Sequence, residues 1–200
     1  KVFIRCGYTP EARYRKAWPV DSTHYRDGLA YAILREDWDQ HVQTAPMSIR
    51  SYYKEDYQDK LGISRVLPEW FTKNGLEKIS IDLNFQKGYV ALEQFNPIGF
   101  LTFFVHEGEA EIGWMGVLPN FHRQGIGTRL VNGLIDDLKQ NNISRLKVST
   151  LGDSVEYEPY ARTRAFYRKL GFKDWKRIQQ DNPECEEQLY LLLEIGKIIL

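Results

Sequence analysis

Apolar residues recur along the chain at two different periods, and the places where one gives way to the other lay out its elements. Met47 to Tyr52 alternates as a first strand does, while the polar stretch Lys54 to Leu61 and the region from Leu67 to Asn74 are expected to be helical. Gly88 to Gln94 and Gly99 to Val105 read as strands on either side of a turn at Phe95-Asn96-Pro97. A second turn, His106-Glu107-Gly108, leads into a strand from Glu109 to Val117. From Thr128 to Gln140 the helical period takes over, with Leu130, Val131, Leu134, Ile135 and Leu138 in one stripe. Arg145 to Thr150 returns to alternation. Pro159 suits the first turn of a further helix that ends at Gly171 and carries Thr163, Phe166, Tyr167 and Leu170 on one face. Strands over Asp174 to Gln179 and Gln188 to Glu194 complete an α/β order.

The closing grammar of helix end, glycine cap, strand, turn and strand occurs a second time near the N-terminus. There Phe3 to Tyr8 precedes Arg13 to Trp18 and then Leu29 to Arg35. His41 to Pro46 reads as a linker. Residues 1–46 are therefore expected to be the tail of a preceding unit, with 47–200 a complete domain; an ordinary N-terminal hairpin fits the same residues.

Composition narrows the function classes. The 200 residues are 42% hydrophobic and carry 27 basic and 27 acidic residues, so nothing favours bulk capture of nucleic acid or an acidic membrane. Cys6 and Cys185 are too few for a disulfide framework, which favours a reducing cytoplasm. No apolar run is long enough to cross a membrane and no signal peptide is seen; the start at Lys1 without methionine suggests a trimmed N-terminus. The four histidines, His24, His41, His106 and His122, lack metal-ligand spacing.

The most specific motif is the passage from strand to helix at His122-Arg123-Gln124-Gly125-Ile126-Gly127-Thr128. Glycines at 125 and 127 remove side chains from the approach to a helix whose first N–H groups, from Thr128, are unpaired, and an anion belongs there. Leu130 stands where a dinucleotide fingerprint needs its third glycine, and no Gly-Lys-Ser/Thr follows, so neither of the two commonest phosphate loops is present. A plain tight turn is the alternative.

With Val117-Leu118-Pro119 ahead of it, this turn resembles the acyl-CoA signature of the GNAT superfamily of N-acetyltransferases, Q/R-x-x-G-x-G/A after a V-x-P strand, with His122 at the Gln/Arg position. The resemblance spans nearly all of Met47 to Ile195. It implies a mixed, mostly antiparallel sheet flanked by helices and splayed between the fourth and fifth strands of that unit, with acetyl-CoA as cosubstrate. It also implies that backbone groups of Met115 and Val117 pair with the pantetheine arm while residues from His122 and Arg123 through Gln124, Gly125, Ile126, Gly127 and Thr128 hold the diphosphate. Gly7 to Trp38 is similar to the C-terminal strands of the ribosomal-protein alanine N-acetyltransferase branch, with Phe3 where Tyr167 stands in the complete copy.

Acetyl transfer to an amine needs a base, a donor to the oxyanion and a proton for the leaving thiolate. Strict alternation puts Glu109, Glu111, Gly113, Met115 and Val117 on one side of their strand, and the resemblance makes Glu111 the base, Met115 the oxyanion donor and Tyr167 the general acid. A phenol near pH ~10 remains protonated at neutrality and can donate to a thiolate of intrinsic pKa ~8.5. Tyr160 stands where many relatives have Asn. Cys185, among acidic neighbours, is expected to have a raised pKa and no nucleophilic role. Tyr52, Tyr53, Trp70 and Phe71 supply aromatic surface for an acceptor site, or simply core. Three readings stay open: an acetyltransferase acting on a small-molecule amine, one acting on a protein N-terminus or lysine, and a CoA-binding module without catalysis. The expected partner is the amine substrate, with no nucleic acid, membrane or metal; a homodimer is left open.

Overall fold

The computed structural model describes residues 9–19, 25–32, 47–154, 156–182 and 185–196. Phe3, Cys6, Gly7, His24, Trp38 and the expected linker His41 to Pro46 lie outside the described residues. The chain divides into two compact units, Lys1–Met47 and Ser48–Leu200. In the first, β1 (Thr9–Pro19) and β2 (Tyr25–Ala32) pair antiparallel, from Thr9 opposite Ala32 to Pro19 opposite Tyr25.

The second unit is built on a seven-stranded sheet. Its strands are β3 (Ser48–Ser51), β4 (Lys87–Glu93), β5 (Asn96–His106), β6 (Glu109–Val117), β7 (Arg145–Leu151), β8 (Lys173–Gln179) and β9 (Glu187–Glu194), in the spatial order β3-β4-β5-β6-β7-β9-β8. All neighbours are antiparallel except β6 and β7. The helices are α1 (Tyr57–Arg65), α2 (Lys73–Asp82), α3 (Ile126–Gln140) and α4 (Glu158–Lys169).

Two helices cover each face. On one side α1 and α2 bury Leu61, Ile63, Ile79 and Leu83 against Val90, Leu92 and Phe100. On the other, the apolar stripe of α3 is buried through Leu130, Val131, Leu134 and Leu138. Tyr89, stacked on Phe103, donates its hydroxyl to Asp137 of α3 at 2.8 Å, which assigns Phe103 and its partner Ile112 to the α3 face. Tyr167 of α4 packs edge-on against Phe172, and buried Arg164 donates to the carbonyls of Leu151 and Gly152 at the end of β7.

The second helix begins at Lys73 rather than in the expected Leu67 to Asn74 region. Thr72 caps it by accepting from Gly75 N at 3.1 Å, while Leu67 and Phe71 are held in the core ahead of it. The turn expected at Phe95-Asn96-Pro97 is instead the two-residue turn Gln94-Phe95, with φ of 47° and 71°; Asn96 already pairs with Glu93, so Asn96 and Pro97 belong to β5. Helix α3 starts at Ile126, two residues before Thr128, because left-handed Gly125 (φ 79°) takes the cap position.

The alternation expected along β6 is broken in its middle. Phe103 pairs with Ile112, but Leu101 pairs with Met115, so Gly113 and Trp114 together stand opposite Thr102. This bulge leaves the Trp114 N–H without a ladder partner, and the fully buried Thr102 hydroxyl oxygen accepts it at 2.9 Å while donating to Gln86 Oε1 at 2.6 Å. Glu109 and Glu111 therefore face α1 and α2 together with Trp114, whereas Met115 and Val117 face α3. The expectation that all five shared one side is corrected: one extra residue reverses the parity between Glu111 and Met115.

Replacing Thr102 with Val removes the acceptor and leaves a buried N–H unpaired. The variant should lose about 2 kcal/mol of stability, read as a lower denaturant midpoint at unchanged slope.

Candidate active site

The bulge ends the ladder between β6 and β7. Their parallel pairing runs from Ala110 opposite Leu146 to Ile112 opposite Val148, and beyond it the strands diverge into a wedge. The β6 edge of this wedge is lined by main-chain polar groups. Leu118 N donates to Ile98 O at 2.9 Å, which sets the phase of the antiparallel ladder: Leu118 and Gly116 turn their amides toward β5, and Val117 and Met115 turn theirs into the gap. His122 reaches back to one of these groups, its Nε2 lying 2.7 Å from the Val117 carbonyl and so carrying the proton there.

The glycine turn follows directly. Arg123 and Gly125 both adopt positive φ, 61° and 79°, bending the chain into a concave run of amides at the start of α3. The two glycines serve different needs. Among the described residues nothing lies within 4 Å of a Cβ on Gly125, whose requirement is conformational, whereas a Cβ on Gly127 would come within 3.3 Å of the Phe166 ring on α4, a tight approach that the ring would have to yield to. Gln124 turns its amide back to Asn120 O at 3.0 Å, so among these residues it offers only its backbone to a ligand. An anion at this N-terminus meets unpaired N–H groups and the positive end of a 15-residue helix.

Turn and wedge open into one cleft of about 1480 Å³, lined also by Glu111, Trp70, Phe71, Tyr160 and Tyr167. The two carboxylates on β6 are in different states. Glu109 pairs with both Arg145 and Lys147, and its hydrogen bond from Lys147 holds its pKa below the ordinary value. Among the described residues Glu111 makes no such pair, and burial raises its pKa against the opposing pull of Lys147. Tyr167 is 3% exposed, and burial pushes its phenol above the ordinary value; among the described residues no group hydrogen-bonds its hydroxyl. Of the expected acceptor aromatics, Trp70 and Phe71 line the cleft, while Tyr52 and Tyr53 do not. Cys185 lies at its rim with a raised pKa caused by burial, not by the acidic neighbours, and Lys78 acts in the opposite direction.

Several residues that shape the site carry no signal in a motif. Asp82, at the end of α2, accepts the Trp114 indole N–H at 2.7 Å, and Gln86 fills the space that a Cβ on Gly113 would occupy, 2.2 Å from its Oε1. The one hint was Gly113 itself, a glycine inside an alternating strand. Trp70 is a second case: its indole N–H reaches Thr163 Oγ1 at 3.1 Å on α4.

A sheet opened along one seam, with free amides on the edge and a helix start at its mouth, can accept a long polar arm that ends in a phosphate anion, which is how acyl-CoA transferases are built. The comparisons agree. Residues 30–172 match the model described as the Acetyltransferase (GNAT) family, and the chain belongs to that family. Among solved structures, a GNAT-family protein from Desulfovibrio desulfuricans superposes with a TM-score of 0.65 at 18% identity, covering 76% of this chain and 100% of that one. The ribosomal-protein-S18-alanine N-acetyltransferase from Escherichia coli gives 0.61 at 18% identity over 78% of this chain and 99% of that one. An aminoglycoside 6'-N-acetyltransferase complexed with coenzyme A gives 0.58 at 18% identity over 75% and 98%. At this identity the likeness concerns the fold alone. No curated protein matches the chain.

Arg123 is held in a conformation that costs an ordinary residue roughly 1–2 kcal/mol. Arg123→Gly should relieve it and, after the added freedom of the unfolded chain, stabilise the protein by up to about 1 kcal/mol. A rise in melting temperature checks this.

Proposed function

We propose that the unit from Ser48 to Leu200 transfers the acetyl group of acetyl-CoA to the primary amine of a small molecule by direct attack. The observation that carries this reading is the placement of two titratable groups about the wedge. Glu111 approaches it from the α1/α2 face, Tyr167 from the α3/α4 face, and the amides of Met115 and Val117 lie along the edge between them. In this reading Glu111, directly or through a water, takes the proton released as the amine attacks the thioester carbonyl. The Met115 N–H stabilises the oxyanion, and Tyr167 gives its proton to the departing thiolate. Burial makes the phenol a weaker acid, but a thiolate expelled into the same dry space is a stronger base, so the transfer stays matched. The turn from His122 to Thr128 holds the diphosphate, with Arg123 adding charge. The Val117 carbonyl, which accepts from His122 through one lone pair, keeps a second for the pantetheine arm.

The link from Trp70 to α4 closes one side of the cleft, which favours a compact acceptor over a peptide lying through a groove. For residues 1–46 we retain the reading as the tail of a preceding acetyltransferase unit, supported by its antiparallel strand pair. With two cysteines in the chain, a reducing cytoplasm suits it.

A thiol-release assay across small amines and peptides tests the acceptor class: turnover confined to peptides would overturn the small-molecule assignment. Tyr167→Phe should lower kcat on the order of 10²-fold with little change in CoA affinity; an unaltered kcat removes its role. For Glu111 the sign follows from the base having to be unprotonated. Because burial raises its pKa, the rate should fall on the acid side from a pH above the ordinary carboxylate value of about 4.3. Glu111→Gln should lower turnover and lose that acid limb, and a variant with the full rate and profile of the parent would end the assignment.

A further inference from the structure

The core under α1 and α2 and the start of α4 lie on opposite faces of the sheet, yet they touch. Trp70 packs on the α1/α2 core, in the segment between those helices. Its indole N–H lies 3.1 Å from Thr163 Oγ1 and 3.3 Å from Pro159 O, both on α4. The Tyr160 hydroxyl returns the contact, 3.4 Å from Trp70 O, and the Arg162 guanidinium sits 5.6 Å over the Trp70 ring while pairing with Glu69 at 3.6 Å. A link between the two faces can only pass across the open mouth of the wedge, since β6 and β7 are laddered at its other end. The edge-on contact of Trp70 with His122, 6.2 Å between ring centroids, puts the link beside the Val117 carbonyl. The wedge is thus a closed ring: ladder at the back, β6 and β7 as sides, Trp70 and α4 in front.

We infer that Trp70 is a positioning residue for the acyl-CoA arm: a clasp that opens to admit the arm into the wedge and then closes over it. This rests on the coenzyme A reading given under Proposed function. The chemistry of the clasp fits reversible opening. It is held by a few neutral hydrogen bonds and a partly exposed ion pair, each modest in strength, whereas the indole stays anchored by apolar packing on its own side. Closing over the arm fixes it against the amides of Met115 and Val117, so that the arm's ordering is shared between a rigid edge and a clasp whose contact with α4 opens and closes.

The test is stopped-flow tryptophan fluorescence with free coenzyme A on the parent, Thr163→Val and Trp70→Phe; in the last, Trp114 remains as reporter. The parent should show an observed rate that levels off as coenzyme A increases, set by clasp opening. In Thr163→Val the plateau and the release rate should both rise on the order of fivefold, the effect of one neutral hydrogen bond, with the equilibrium affinity changed less than either rate. Trp70→Phe, which keeps the packing and loses the donor, should behave alike. A rate linear in coenzyme A with the same slope in all three proteins would mean that the arm threads an intact ring, and would overturn the clasp alone. Absence of binding in all three would instead remove the coenzyme A reading beneath it.

Discussion

One buried hydroxyl governs the geometry of the active unit. Thr102 has no exposed surface, and its oxygen takes the N–H of Trp114 that the bulge in β6 removes from the ladder. Without that acceptor, two residues standing against one would leave a buried main-chain donor unpaired, at a cost of about 2 kcal/mol. Around this bond the end of α2 acts as a clamp. Asp82 holds the Trp114 indole, and Gln86 completes the hydroxyl's bonding while resting on Gly113. A helix from one layer thereby fixes where a strand in another stops pairing.

The consequences run outward from there. The bulge ends the contact between β6 and β7 at Ile112 and Val148, which opens the wedge. It also separates Glu111 from Met115 by face, so that a carboxylate and the amide edge meet the same gap from different sides. The electrostatics follow from the same partition. Glu109, at the start of β6, is neutralised by Arg145 and Lys147; Glu111, opposite Lys147 in the ladder, forms no ion pair among the described residues, and burial outweighs the pull of Lys147. Two identical side chains two residues apart thus differ in availability as bases.

Much of this was legible in the chain because it depends on local rules. The glycine turn, the amphipathic run of α3, the antiparallel strands and the helix ending at Gly171 are each written in periodicity or in a backbone requirement. The wedge and the family followed from His122 to Thr128 together with Val117 to Pro119. What escaped were features fixed by tertiary contacts. Alternation alone gave β6 a single parity, since the bulge depends on Thr102, a residue on another strand. The start of α2 moved because Leu67 and Phe71 are drawn into the core ahead of the Thr72 cap. The elevated thiol at Cys185 comes from burial, which its acidic sequence neighbours do not reveal, and the bridge from Trp70 joins positions 93 apart.

The supernumerary residue at Gly113-Trp114 also sets this fold against its own regularity. Shortening β6 by one position there would leave every other side chain on its present face and let the ladder with β7 run on past Val148. Such a chain would own a smoother, more fully bonded sheet with no seam for a ligand's arm. Its catalytic competence is therefore kept as an imperfection that selection for stability alone would erase.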